Sequence, residues 1–304
     1  MKLPESIQVI ERGWLSANSI VLHQRGETVV VDSGYGAHAA QTVALVERAL
    51  SGERLARLVN THCHSDHMGG NAAIQRKFSC RTSIPEGEAP LIEHWDEHAL
   101  FLAIADQRAE RFRYDDTFRD GDALQMGGLE WRVIAAPGHD THAVMFHSPE
   151  ARVLISGDAL WENGFGVVFP QLFGRDTALA ETRATLEAIA RLEVDTVIPG
   201  HGRPFGGADA ALERAFYRLE GYEEDITRLA RHCAKVMLSF SLLEKRSMPL
   251  AELPAYVARV PILAELNSRY LGMRPAAMAE WLVNELERAG AAGREGGLLL
   301  ARGR

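Results

Sequence analysis

The feature that most restricts what this chain can fold into is Thr61-His62-Cys63-His64-Ser65-Asp66-His67, where four side chains able to bind a metal fall within six residues. On an extended segment alternate side chains point to one side, so His62 and His64 aim at one cation while Asp66 and His67 face a neighbouring position. The same alternation turns Cys63 away, as a packed thiol. Gly69-Gly70 lets the backbone approach closely and turn before the next helix. The mostly apolar run Leu55 to Asn60 stops at the cluster, which places the cluster on a loop at a strand's C-terminal end.

The same arrangement recurs along the chain. His139 in Ala-Pro-Gly-His, Asp158 in Ser-Gly-Asp-Ala and His201 in Pro-Gly-His-Gly each follow a glycine after an apolar run. Strands are expected at Ser6 to Glu11, Ser19 to His23, Thr28 to Asp32, around Leu124, at Leu129 to Ala136, Ala143 to His147, Val153 to Ser156 and Thr196 to Ile198. Helical spacing marks Ala39 to Leu50, Asn71 to Phe78, Glu88 to Phe112 and Thr182 to Leu192. Beyond Gly206-Gly207 the strand signal nearly vanishes. Leu219, Tyr222, Ile226, Leu229, Cys233 and Val236 recur at helical spacing, and Ala276 to Ala289 is a second amphipathic helix before a hairpin over Ala291 to Arg302. Two segments follow: a catalytic domain over 1–207 and a helical C-terminal domain over 208–304.

THxHxDH, then GH, then GD, then PGHG, resembles the ligand series of the metallo-β-lactamase superfamily, in particular its glyoxalase II-like branch of zinc-dependent hydrolases. The resemblance covers residues 6 to 206. It implies an α/β (α+β) fold, the αββα sandwich of that family, here with a mostly helical, winged-helix-like C-terminal domain. It implies that His62, His64 and His139 hold one metal, that Asp66, His67 and His201 hold a second, and that Asp158 bridges them. Asp32, in Val-Val-Val-Asp-Ser-Gly, matches a recurrent family aspartate expected behind the ligands. The resemblance also implies that true β-lactamases usually lack a carboxylate at the position of Asp158. The Lys and Tyr through which glyoxalase II binds glutathione are replaced here by Gly164-Phe165-Gly166-Val167-Val168-Phe169.

Five imidazoles and two carboxylates suit two divalent ions, zinc first, with iron or manganese as alternatives. Two such ions and two aspartates leave a net charge of about +2, which would stabilise a bridging hydroxide as nucleophile at neutral pH. Asp66 and Asp158 are the expected catalytic carboxylates, with Asp66 accepting or relaying the proton. The expected reaction is hydrolysis of a small-molecule thioester, other acyl ester or lactone. Trp161 and Phe165 are expected to line an acyl pocket, and His142 to lie behind the ligands or contact substrate. Residues 88 to 113 are a candidate lid, with Arg108, Arg111, Arg113 or Tyr114 facing a substrate carboxylate.

Composition narrows the field. With 33 Lys plus Arg against 41 Asp plus Glu, the net charge of -8 opposes attraction to nucleic acid and to anionic membranes. The tail, which carries the expected winged helix, is nearly balanced in charge, and its candidate recognition helix holds Glu280, Glu285 and Glu287. Neither membrane-spanning nor signal-peptide patterning is seen, and Cys63, Cys80 and Cys233 lack the spacing of a disulfide framework, so a cytoplasmic protein is expected. The alternatives are a phosphodiester or nucleic-acid hydrolase on the same metal core, a one-iron oxygenase, and a low-turnover metal-binding regulatory protein whose tail is a partner or homodimer surface.

Overall fold

Two packed sheets carry the architecture of the computed structural model, which describes residues 3–302; the outermost limits of the two expected segments, residues 1–2 and 303–304, lie outside it. The first sheet runs in chain order: β1 (Ile7–Ile10), β2 (Ser19–Leu22), β3 (Thr28–Val31), β4 (Leu55–Val59), β5 (Arg81–Pro85) and β6 (Asp116–Phe118). It opens antiparallel, and β3 to β6 are parallel. The second holds β7 (Ala123–Met126), β8 (Leu129–Ala135), β9 (Val144–Ser148), β10 (Val153–Gly157) and β11 (Thr196–Pro199) in the order β11-β10-β9-β8-β7, with only β10 and β11 parallel.

The two-residue period of a strand sorts each side chain into a layer. Ile20, Leu22, Val29 and Val31 point inward to Trp131, Val133, Phe146 and Ile155 of the second sheet, forming the core between the sheets. Val21, Val30 and Leu58 point outward and are covered by α1 (Ala39–Leu50), through Val46 and Leu50, and by Ile74 of α3 (Asn71–Phe78), which follows the short α2 (Ser65–Met68). On the opposite outer face, Met145, Leu154 and Val197 are covered by Leu186 and Ile189 of α6 (Ala178–Ala190), which follows the short α5 (Phe169–Leu172). The order of layers is helix, sheet, sheet, helix.

Residues 88 to 112 are not the long helix that their apolar spacing predicts. Only α4 (Ala89–His94) forms, ended by Trp95 in the left-handed region at φ +54°. Asp96 then accepts hydrogen bonds from the amides of His98 and Ala99, and the chain turns again through Phe101 and Asp106, both at positive φ. The apolar residues serve two environments. Ile92, Leu100, Leu102 and Phe112 pack beneath the cluster loop, whereas Phe101 faces Phe169 and Phe173. Strands β5 and β6, short and flanked by this segment, carry no alternation of polar and apolar residues.

The chain becomes helical at Ala208, after Gly207 at φ +72°. Helices α7 (Ala208–Glu224) and α8 (Ile226–Lys245) are separate because Asp225 leaves the helical region and caps α8 through the Thr227 amide. After β12 (Ser247–Pro249) come α9 (Leu253–Arg259), α10 (Pro261–Leu266) and α11 (Pro275–Arg288), then the hairpin β13 (Ala292–Glu295) and β14 (Leu298–Ala301), which turns at Gly296-Gly297 and pairs with β12. Leu219, Leu238 and Leu282 join the same apolar core as Leu154 and Val197, so these helices rest on the outer face of the second sheet. No helix among the described residues is long and apolar enough to cross a membrane.

Candidate metal centre

Four strand ends converge on one edge of the sandwich. The segment after β4 supplies His62, His64, Asp66 and His67, with Asp66 and His67 on the helical turn α2, where an extended loop was expected. The turn after β8 supplies His139, the end of β10 supplies Asp158 and the end of β11 supplies His201. Donor atoms of His62, His64 and His139 lie within 4.8 Å of one another, as do those of Asp66, His67 and His201, and those of His62, His67 and Asp158.

Asp158 stands between the two groups. Its Oδ1 is 3.4 Å from His67 Nε2, and its Oδ2 is 3.4 Å from His139 Nε2 and 3.9 Å from His201 Nε2. Asp66 Oδ2 is 3.1 Å from His201 Nε2. A Cβ at Gly200 would fall 2.3 Å from Asp158 Oδ1 and 2.9 Å from His67 Cε1, so only glycine lets β11 end this close to the cluster.

The surrounding chain fixes which imidazole nitrogens face inward. His67 Nδ1 donates to Asp32 Oδ2 at 2.8 Å, and Asp32 also accepts from the Thr61 amide at 2.9 Å and the Thr61 hydroxyl at 2.8 Å. Asp32 lies behind His67, buried and at φ +58°. His139 Nδ1 donates to the Val167 carbonyl at 2.7 Å, leaving Nε2 as a bare lone pair 2.8 Å from His64 Nδ1. The Nε2 atoms of His62 and His67 are buried without any hydrogen-bond partner. Buried polar atoms are rarely left so, and nitrogens whose opposite ring atoms are held by a carboxylate or carbonyl are those that ligate metals.

Electrostatics prepare His62, His64 and Asp158. At His67, by contrast, burial is outweighed by Asp158, Asp32 and Asp66, which raise that imidazole well above the ordinary histidine value, so a cation there would take the place of its proton. Burial, reinforced by His67, His64 and His139, holds His62 well below the ordinary histidine value, and burial with His139 brings His64 to about 4. Both imidazoles are thus neutral at pH 7. Burial opposes ionisation of Asp158, but His67 and His201 overcome it and keep its carboxyl well below the usual range. Neutral imidazoles and an ionised carboxylate are the forms that bind a cation. The residues present therefore fit divalent metal binding.

A cavity of about 440 Å³ opens on this cluster, with His64, Asp66, His139, Asp158 and His201 in its wall. The remaining wall is largely apolar: Phe101 and Phe169 on one side, and Val236, Met237, Phe240 and Leu243 of α8 on the other. Trp161 lines it and donates from Nε1 to Asp158 Oδ1 at 3.2 Å. Two expected pocket residues lie elsewhere. Phe165 is buried in the core, edge-to-face with Tyr222, because the loop turns its ring under α7, and Val167 and Phe169 face the cavity instead. His142 is exposed and packs against Gly87, away from the cluster. Arg108 pairs with Glu244 and Arg111 with the Glu93 carbonyl, so neither points to the cavity.

Other residues came unannounced. The Trp14 ring stacks on His201 at 5.5 Å and 10° while remaining 53% exposed. Nothing in the N-terminal sequence marks it. Asp140 Oδ2 lies 3.5 Å from His64 Nε2, and its place next to His139 was a usable signal.

Comparison with known proteins agrees with this geometry. Residues 12–201 match the family model of the metallo-beta-lactamase superfamily. The hydroxyacylglutathione hydrolase of Rhodopseudomonas palustris is 33% identical over 144 residues, 47% of this chain and 47% of that protein, so the match spans about half the length of these curated relatives. The human acyl-coenzyme A thioesterase MBLAC2 is 25% identical over 230 residues, covering 68% of this chain and 78% of that one. Among solved structures, the metallo-beta-lactamase family protein TTHA1429 of Thermus thermophilus superposes over 98% of this chain and 99% of its own, with a TM-score of 0.60 at 21% identity, which is a likeness of fold. With its sandwich, its clustered donors and a family match that spans most of its length, this chain belongs to the metallo-beta-lactamase superfamily.

Proposed function

We propose that the protein is a two-metal hydrolase of acyl esters, with thioesters as the favoured class. The observation that carries the reading is the convergence of seven donors, two of them carboxylates, with five of the seven in the wall of a largely apolar cavity. Names of the relatives point the same way, one being a hydrolase of hydroxyacylglutathione and another a thioesterase of acyl-coenzyme A.

His62, His64 and His139 would hold one cation and Asp66, His67 and His201 the other, with Asp158 shared between them. Two divalent ions supply Lewis acidity and make a water nucleophilic at neutral pH, zinc being the ion this donor set suits best. The protein does the rest. Asp32 and the Val167 carbonyl hold the His67 and His139 rings in one tautomer, and Trp161 fixes the rotamer of Asp158. Phe101, Phe169 and the α8 side chains take up the apolar part of the acyl compound and exclude bulk water from the reacting carbon. As water adds to the carbonyl carbon, Asp66, the more exposed of the two carboxylates, takes the proton released. The carbon–sulfur bond then breaks and the thiolate leaves, to be protonated in turn.

The test is turnover of a panel of thioesters, esters, lactones and phosphodiesters by metal-analysed protein. Thioesters should turn over fastest, and Asp158→Ala should abolish that activity. Hydrolysis of phosphodiesters alone, or thioester turnover undiminished in Asp158→Ala, would overturn the reading.

A further inference from the structure

The cavity does not end at its apolar walls. Asn163 and Arg218 line both it and an adjoining surface groove of about 840 Å³ along α7, so they mark the passage between the two. Arg218 is seated there by a glycine. A Cβ at Gly164 would fall 2.5 Å from Arg218 Nη1 and 2.6 Å from Cζ, so the guanidinium occupies the place of an absent side chain. Gly164 stands at φ +113°, and its carbonyl accepts from the Trp161 amide at 2.6 Å. The turn that carries Trp161 to Asp158 is thus the turn that seats Arg218.

Its neighbours on these helices are satisfied: Arg183 pairs with Glu223, Arg228 with Glu224 and Asp225, and Arg214 donates to the Glu162 carbonyl. Arg218, half-buried, has no carboxylate within 4.0 Å among the described residues. The acids of the groove, Glu213, Glu220 and Glu224, do not reach it. Beside it His232 lines the same cavity and stacks on Tyr222 at 6.3 Å. Burial, then the charges of Arg218 and Lys235, bring His232 to about 3, so it is a neutral hydrogen-bonding group there. A guanidinium offers five N–H donors in a planar fork that matches a carboxylate or a phosphate.

We propose that Arg218 binds an anionic oxygen group of the substrate, a carboxylate or phosphate, while the apolar cavity spans from that group to the scissile acyl carbon. The proposal rests on the acyl-hydrolase reading for the placement of that carbon. It narrows the substrate to acyl compounds charged at a distance from the bond that breaks. Uncharged fatty-acyl esters would lack the second anchor.

Calorimetry on the metal-loaded full chain tests this without turnover. The probes are straight-chain monocarboxylic acids, dicarboxylic acids of equal length, and the matching acids ending in a phosphate ester. A hydrogen bond to a charged group contributes about 1.5–3 kcal/mol, so at one chain length the second anion should tighten binding about 10- to 150-fold. Arg218→Met should erase that advantage, and Arg218→Lys, which keeps the charge and stem but not the fork, should retain part of it. The two terminal groups distinguish carboxylate from phosphate, and thioesters charged on the acyl or on the thiol portion show which portion reaches Arg218. No advantage in the unmodified protein, or an advantage that survives in Arg218→Met, overturns the proposal. A chain that binds the double anion and hydrolyses nothing upholds it and refutes the function above.

Discussion

Asp32→Asn is the substitution whose consequences follow most directly from the geometry behind the centre. Asp32 accepts with Oδ1 from the Thr61 amide and with Oδ2 from His67 Nδ1 and the Thr61 hydroxyl, all buried. Asparagine tolerates the left-handed backbone found here at least as well as aspartate, so no strain is added at φ +58°. Its single oxygen can serve only one side. Whichever way the amide turns, either the Thr61 amide or the His67 Nδ1–H is left facing a donor. A buried donor without a partner costs about 1–3 kcal/mol. At about 2 °C per kcal/mol for a chain of this size, the melting temperature should fall by about 2–6 °C. Loss of the carboxylate behind His67 should also weaken metal binding about 10- to 100-fold. Competition against a chromophoric chelator measures the affinity, and circular dichroism melts measure the stability. An Asp32→Asn protein with unchanged affinity and melting temperature would refute the claim that this carboxylate holds the ligand in place.

Gly200→Ala should displace Asp158 and His67 and lower metal content, since the new Cβ would sit 2.3 Å from Asp158 Oδ1; full metal occupancy by elemental analysis would contradict it. Trp14→Ala should reduce kcat/KM on acyl thioesters several-fold while changing stability by no more than about 0.5 kcal/mol, because the ring is half-exposed yet stacked on His201. Lys245 Nζ lies 2.7 Å from Asp106 Oδ2. Burial raises the Asp106 carboxyl, but Lys245 and Tyr256 outweigh it and hold the group below 3.8. A depressed carboxyl contributes stability above its unfolded value and loses it as pH falls through its folded value, so the gap in melting temperature between the unmodified protein and Lys245→Met should be present at pH 7 and close below about pH 4. The gap should be small, because the pair is partly solvated.

Much of the centre was legible because metal donors must be clustered and each cluster here sits at a strand end. His62 to His67 announces itself by density, and His139, Asp158 and His201 by recurrence of glycine then donor after an apolar run. Helices α1 and α3 were legible to the residue, since each buries a single stripe. Residues 88 to 112 were not, because their apolar positions face two environments and three left-handed residues break the helix, which spacing alone does not reveal. Phe165 was misplaced for a related reason. In a loop of alternating glycine and apolar residues, which ring faces the cavity depends on α7, far along the chain. Trp14 and Arg218 reach the site from distant segments, and no local pattern marks such residues.

The most direct test of the central claim is metal content per chain read alongside thioester turnover, in the unmodified protein and in His139→Ala and His201→Ala. Two divalent ions per chain, one of them lost in each variant together with most of the turnover, is the predicted result. Thioester hydrolysis that persists when both positions are stripped of metal would contradict it.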